Sequence, residues 1–476
     1  MINYIEGDHR DQDFLLPESL EDYVGEDNPV RFIEGFVDKL NLSECGFIEE
    51  RSTSAGRPGY DPSDMLKLYL YGYSNRTRSS RMLERACHIN MEVIWLMRRL
   101  KPDHKTISEF RRKYPKAFKK VFRQFVLLCR QLGLVAGEIV AIDGTQLKAV
   151  NNPKKNMTRT RLKRMIKDAD KQIEAYMERL NDEDAREKGG RKLNRPKLRS
   201  KIAQIEEELA SMNKLEAHME AEGIKQISET DPDSRAMAKN PRIAVGYNAQ
   251  ASADEANCII VAEDLSNDVL DYDQLEPMAR QSKENLGDPE NLSVTADKGY
   301  DKATQMVAVE EMGCHCHVPG RRHSVKGSKH FTKDAFRYLK TKDAYRCPAD
   351  KLLPRRYETV VDGQIRYTYC DPEACKECPL KSKCTTQERG RNIIRGEHES
   401  TVEHLRKRME QEPEIYKRRG ATIEKVFGSI KWAMDGESLL LKGLEKCRGE
   451  WSLLCTCYNI KRAIKLLGVK ALLEAM

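Results

Sequence analysis

The chain has 476 residues, too many for one compact core and enough for roughly two to four structural units. Hydrophobic residues make up 39% and charged residues 33%, so real cores can form, and a net charge of +8 permits a polyanionic partner without demanding one. The polar, acidic start lacks a signal peptide's basic and apolar regions, and nothing approaches the roughly 18 uninterrupted apolar residues of a membrane span. The expectation is a soluble cytoplasmic protein.

Residues 1–135 read as helical. Apolar residues recur at helical spacing in Val30, Ile33, Phe36, Val37 and Leu40, and again in Met65, Leu66, Leu68 and Tyr69. Arg57-Pro58-Gly59 reads as a turn, Asp61-Pro62-Ser63 as a helix start, and the stretch from Pro102 to Arg112 as another cap and helix entry. Basic residues are dense over 76–130, which fits either a solvated helix face or a nucleic-acid-binding one. At Glu138 the texture changes: Ile139-Val140-Ala141-Ile142-Asp143 reads as a buried strand with Asp at or near its end.

Over 158–222 one stripe runs through Leu162, Met165, Ile166, Ala169, Ile173, Tyr176, Met177 and Leu180. A second, through Leu198, Ile202, Ile205, Leu209 and Met212, has coiled-coil spacing. With the Gly189-Gly190 break between them, they predict an antiparallel helical hairpin. Strand texture returns at 243–251 and 258–262, a pair joined by a hairpin turn, followed by a helix over 273–284 and a short strand, Leu292 to Asp297. Cys314 to Val318 is a further strand, and the chain is helical again from about Glu412. This mixture predicts a mixed sheet flanked by helices.

Asp143 and Asp297 each close an apolar strand and are followed closely by Gly144 and Gly299. Ile423, Phe427 and Ile430 make an amphipathic helix, with Glu424 beside the stripe and Lys431 two turns further along nearly the same face. Taken singly, a strand-end Asp reads as a turn former and Glu424 as a surface charge. Together they fit two-metal phosphodiester chemistry, in which carboxylates converge on two divalent cations about 3.5–4 Å apart. Magnesium prefers such oxygen ligands.

Three segments carry a family resemblance: Ala141-Ile142-Asp143-Gly144-Thr145, Thr295-Ala296-Asp297-Lys298-Gly299-Tyr300-Asp301, and the run from Tyr416 through Arg418, Arg419 and Glu424 to Lys431. They resemble bacterial insertion-sequence transposases of the DDE class, similar to the insertion-sequence 1182 group. Asp103-His104-Lys105-Thr106, Asp231-Pro232-Asp233-Ser234-Arg235 and Gly246-Tyr247-Asn248-Ala249-Gln250 are further landmarks. The resemblance implies an RNase H-like core, with Asp143, Asp297 and Glu424 as catalytic carboxylates holding two Mg2+ or Mn2+ ions. It implies DNA contacts by Lys431, Tyr416, Arg418 and Arg419, and a base-stacking role for Tyr300. The Tyr416-to-Glu424 spacing is one residue longer than the family's usual pattern, and neither arginine falls in the usual register.

Of the fourteen cysteines, nine scatter on apolar faces and read as small core residues. The other five crowd into 347–384. Cys370, Cys375, Cys378 and Cys384 have the short spacings of a tetrahedral thiolate site, with Cys347 as the spare. Zinc is the favoured occupant, and an iron–sulfur cluster also takes four thiolates. Basic neighbours Lys376, Lys381, Lys383, Arg389 and Arg391 suggest a role for this segment in DNA-end binding or dimer contact. Cys314-His315-Cys316-His317 alternates across a strand and so reads as strand, not as a second metal site.

The expected fold is therefore α/β (α+β): an RNase H-like mixed sheet with flanking helices and three additions. An N-terminal helical, DNA-binding domain spans 1–135. The catalytic core takes 136–157 and 229–340, interrupted by the hairpin at 158–228. A cysteine-rich metal-binding insertion spans 341–392, and 393–476 returns to the core with the catalytic Glu. The expected activity is DNA cleavage and strand transfer at the terminal inverted repeats of a mobile element, by a chain that is a homodimer on DNA. A nuclease without strand transfer and a non-catalytic DNA-binding regulator are the alternatives.

Overall fold

The structure, a computed structural model, describes residues 19–47, 59–152, 155–185, 195–224, 226–239, 242–320, 330–361 and 363–476. Helices Pro29–Lys39, Pro62–Ser74, Ser80–Ile89, His104–Lys113 and Pro115–Gln131 form the N-terminal region. Their starts follow local chemistry. Asn28, Asp61 and Asp103 each accept a hydrogen bond from a first-turn backbone N–H, and Pro29 and Pro62 occupy first-turn positions that need no donor. The turn expected at Arg57-Pro58 lies outside the described residues.

These helices share their core with the far end of the chain. Helix Leu444–Leu467 packs against Pro115–Gln131 and Pro62–Ser74 on one side and against the main sheet on the other. One hydrophobic cluster runs without a break from Phe32 through Trp451 to Leu472. A buried polar hub fixes the join. Glu450, 0% exposed, accepts from Arg78 at 2.8 Å, from the Tyr73 hydroxyl at 2.8 Å, and from the Leu440 and Leu441 backbone N–H groups at 2.9 and 3.0 Å. Arg111 donates to the same Tyr73 oxygen at 2.6 Å. The arginines hold the Glu450 carboxyl below its ordinary value despite burial that opposes this.

The strands, in chain order, are β1 (Ile139–Lys148), β2 (Asn156–Thr158), β3 (Gln226–Ser228), β4 (Arg235–Lys239), β5 (Arg242–Asp254), β6 (Ile260–Ser266), β7 (Ser293–Thr295), β8 (His315–His317), β9 (Arg337–Leu339), β10 (Ala344–Arg346), β11 (Leu352–Val361), β12 (Gln364–Tyr369) and β13 (Ile393–Gly396). In the main sheet, β5 pairs antiparallel with β1, β4 and β6. β7 then lies parallel to β1, and β8 parallel to β7. Helices Leu275–Leu286 and Ala303–Glu311 make the connections into β7 and β8. This is the expected mixed sheet with flanking helices. One detail differs: Asp143 lies in the middle of β1, because pairing with β5 carries the strand on to Lys148.

Helices Arg159–Ala185 and Arg195–Ala221 pack on each other, and β2 and β3 pair antiparallel at their base. Met157, Leu162, Met219 and Ile227 form a small separate core there. The Gly189-Gly190 break lies outside the described residues.

The cysteine-rich segment contains a second sheet that the sequence reading did not anticipate, in the order β13-β12-β11-β10-β9, all antiparallel. Its own core is Phe336, Tyr345, Leu353, Tyr369 and Ile393. Much of β11 is exposed on both faces, including Arg355, Arg356, Tyr357 and Glu358, so it lacks the apolar alternation that reveals a half-buried strand.

Candidate active site

β1 is built to bring a carboxylate out of a core. Val140, Ala141 and Ile142 are buried at 1% exposure or less, and the next four residues are half-buried. Pairing with β7 ends at Ala141–Thr295. Asp143 therefore lies two residues beyond the last pair on one strand, and Asp297 two residues beyond it on the parallel neighbour. Both carboxylates emerge at the same edge, just past where the parallel pairing of β1 and β7 stops, the side on which open α/β sheets place their ligands. The Thr295 hydroxyl donates to the Val140 carbonyl at 3.0 Å and ties the two strands just below.

Each carboxylate is held by local backbone. Asp143 Oδ1 accepts from the Gly144 N–H at 2.8 Å, and Asp297 Oδ1 accepts from the Gly299 N–H at 2.6 Å, capping the turn Lys298–Tyr300. Burial pushes the Asp143 carboxyl up to about 6; Arg419 and the Gly144 N–H oppose the shift, and the negative charge of Asp297 adds to it.

A third carboxylate, which the sequence reading missed, lies between them. Asp271, on the loop after β6, accepts on Oδ1 from Asn248 Nδ2 and Gln250 Nε2 of β5, each at 2.7 Å. A Cβ placed on Gly144 would stand 2.6 Å from Asp271 Oδ1, 2.5 Å from Gln250 Nε2 and 2.9 Å from Asn248 Oδ1. Only glycine leaves room for that cluster beside Asp143. Asp271 Oδ2 in turn lies 3.4 Å from the equivalent point on Gly299. The signal was present in the alternating polar residues Asn248, Gln250, Ser252 and Asp254, which are buried on one face of β5.

Helix Pro413–Gly428 lies across β1, β5 and β7 and continues as a π-helical turn, Ser429–Ala433. Ile423, Val426 and Phe427 seat it, with Phe427 stacked on Trp451 at 6.5 Å. Two of its basic residues reach β1. Arg419 Nη1 lies 3.1 Å from Asp143 Oδ2, and Lys431 Nζ donates to the Thr145 hydroxyl. Glu424 falls between these contacts along the helix, exposed to solvent, with its Oε1 beside Gly420.

Other expected contacts are rearranged. Tyr416 is half-buried, with the Arg419 guanidinium 5.9 Å from its ring centroid. Arg418 points elsewhere, 3.6 Å from Glu255. The expectation for Tyr300 fails: it is 0% exposed and its hydroxyl donates to Gln250, so no ring face is open to a base. An aromatic side chain that is open is Trp432, 80% exposed beside Lys431, with its carbonyl and that of Ala433 held by Arg76.

Among the described residues no group of three or more His, Cys, Asp or Glu side chains stands arranged to hold a metal ion. The donors that do gather, Asp143, Asp297 and Asp271, are all carboxylates, the ligand chemistry of magnesium or manganese. Acidic side chains grouped at one edge, with Asp143 partly offset by a single guanidinium, fit a divalent cation electrostatically.

Two known families match the chain. Residues 18–113 match the transposase domain DUF772, and residues 346–464 match a transposase DDE domain. No curated protein matches. The helical region and the segment that carries Glu424 and Lys431 are thus each similar to a transposase domain, the second of them a DDE domain. These two matches support an insertion-sequence DDE transposase, a family that generally uses Mg2+ or Mn2+. Among the described residues no helix is long and apolar enough to cross a membrane.

Proposed function

We propose that the protein binds the ends of its own mobile element, hydrolyses the phosphodiester there, and uses the freed 3′-hydroxyl to attack target DNA. The observation that carries this reading is the emergence of Asp143 and Asp297 side by side from parallel strands, under the helix that bears Glu424. The strand order β6-β5-β1-β7-β8, with only β5 antiparallel to the rest, supports an RNase H-like core.

Asp143, Asp297 and Glu424 would hold two Mg2+ or Mn2+ ions, which when bound supply an activated attacking oxygen and stabilise the leaving one. Asp271 keeps the site acidic and orients through Asn248 and Gln250. Arg419 neutralises Asp143 in the free protein and stands ready to meet a phosphate. Lys431 and Tyr416 contact phosphates near the reacting end. Trp432 offers its open face to an unpaired base, the role the sequence reading gave to Tyr300. Two element ends require two active sites, so the working form on DNA is a homodimer.

Strand joining separates this reading from that of a plain nuclease. Duplexes from the DNA flanking the gene, incubated with the protein, Mg2+ and a supercoiled plasmid, should yield joined products. Cleavage without joining would make the protein a nuclease, and binding without cleavage would make it a regulator.

A further inference from the structure

We propose that Cys347, Cys375, Cys378 and Cys384 form a structural zinc site that clamps the second sheet, and that Cys370 is not a ligand. The four cysteines line one small pocket beside the core of that sheet, together with Phe336 and Arg391. Cys370 does not line it. That residue directly follows β12, is 5% exposed, and its backbone N–H donates to the Pro354 carbonyl at 3.2 Å. Burial pushes the Cys384 thiol up, and the charges that act on it are those of Arg391, Cys375, Cys347 and Cys378, so the other three sulfurs lie within electrostatic reach of Cys384.

Sequence spacing favours Cys370, five residues from Cys375. The fold favours Cys347, because the β10–β11 connection folds it back over the Cys375–Cys378 turn. Two tight turns present the sulfurs. In one, the Asp350 N–H donates to the Cys347 carbonyl and the Cys347 N–H to the Lys351 carbonyl, each at 2.9 Å. In the other, the Lys381 N–H donates to the Cys378 carbonyl at 3.1 Å. Gly390, at φ +96°, brings backbone so close that a Cβ there would lie 2.8 Å from Cys375 Sγ.

A second observation points to an anionic occupant. Arg391 Nε is buried and has no hydrogen-bond partner among the described residues. Four thiolates around Zn2+ carry a net double negative charge, and N–H groups that donate to the sulfurs are what such a centre needs around it. Arg391, Lys351 and Lys381 line the pocket and supply positive charge. Four unligated thiols would leave the buried Arg391 N–H with only weak acceptors nearby. The four side chains surround the pocket without standing at ligand distances, so a bound ion would draw them inward.

The proposal is independent of the catalytic reading. Its test is the metal content of the full chain, purified under reducing conditions without chelator, for wild type and for Cys347→Ser, Cys378→Ser and Cys370→Ser. Wild type and Cys370→Ser should carry about one zinc per chain, while Cys347→Ser and Cys378→Ser should lose it. Should the serine variants fail to fold, cobalt titration of the demetallated wild type serves instead: thiolate-to-metal absorption should saturate at one ion per chain. Zinc lost from Cys370→Ser but kept by Cys347→Ser would overturn the ligand set. Iron with visible charge-transfer bands, or no bound metal, would overturn the site.

Discussion

Replacing Asp143 with Asn should make the metal-free protein more stable while removing its activity. Burial raises the Asp143 carboxyl from 3.8 to about 6. At about 1.4 kcal/mol per pH unit, the ionised carboxylate costs the folded chain about 3 kcal/mol. The side chain is only 23% exposed, so solvent screens little of this. The folded value lies above the unfolded one. The stability linked to this group is therefore fully present below about pH 4 and is lost as pH rises through about 6. Asparagine stands in for the neutral carboxyl at every pH. In urea unfolding without divalent cations, Asp143→Asn should exceed wild type by about 1 kcal/mol at pH 4.5 and by about 3 kcal/mol at pH 8. Adding Mg2+ at pH 8 should close the gap from the wild-type side, by about 2.7 kcal/mol at a hundred times its dissociation constant. A variant less stable than wild type at pH 8, or a gap that ignores pH, would refute the reasoning.

The same protonation predicts that cleavage at limiting Mg2+ falls as pH drops through about 6, because proton and metal compete for Asp143; saturating Mg2+ should move the midpoint lower, and a pH-independent metal requirement would count against it. Glu424→Gln should leave urea stability within about 0.5 kcal/mol of wild type, since the side chain is exposed, while reducing cleavage to background. Glu450→Ala should cost about 3–5 kcal/mol by leaving Arg78 buried without its partner, read as a lower urea midpoint. Gly144→Ala should push Asp271, Asn248 and Gln250 apart, costing about 1–3 kcal/mol and most of the activity; an active variant would show that the cluster does not need that space.

Much of the catalytic half was legible in the sequence because burial leaves a simple pattern there. An apolar run that ends in Asp143 or leads into Asp297 reads directly as a core strand delivering a carboxylate, and the stripe through Ile423 and Phe427 seats the helix of Glu424. Asp271 was hidden because it sits in a polar loop, and its importance lies in two amides on a strand, 23 and 21 residues earlier. Arg419 could not be placed from spacing, since the extra residue after Tyr416 turns it toward Asp143 rather than Arg418. The second sheet escaped notice because β11 exposes both faces. That Cys347 shares a pocket with Cys375, Cys378 and Cys384 was not legible, because distance along the chain is a poor guide once a hairpin has folded back.

The central claim is that Asp143, Asp297 and Glu424 form one metal-dependent DNA-cleaving site. Its most direct test is strand cleavage of element-end duplex by wild type, Asp143→Asn, Asp297→Asn and Glu424→Gln, each with Mg2+ and each shown to be folded and to bind the duplex. Cleavage by wild type alone is the expected result. Full cleavage by any one of the three variants would contradict the account.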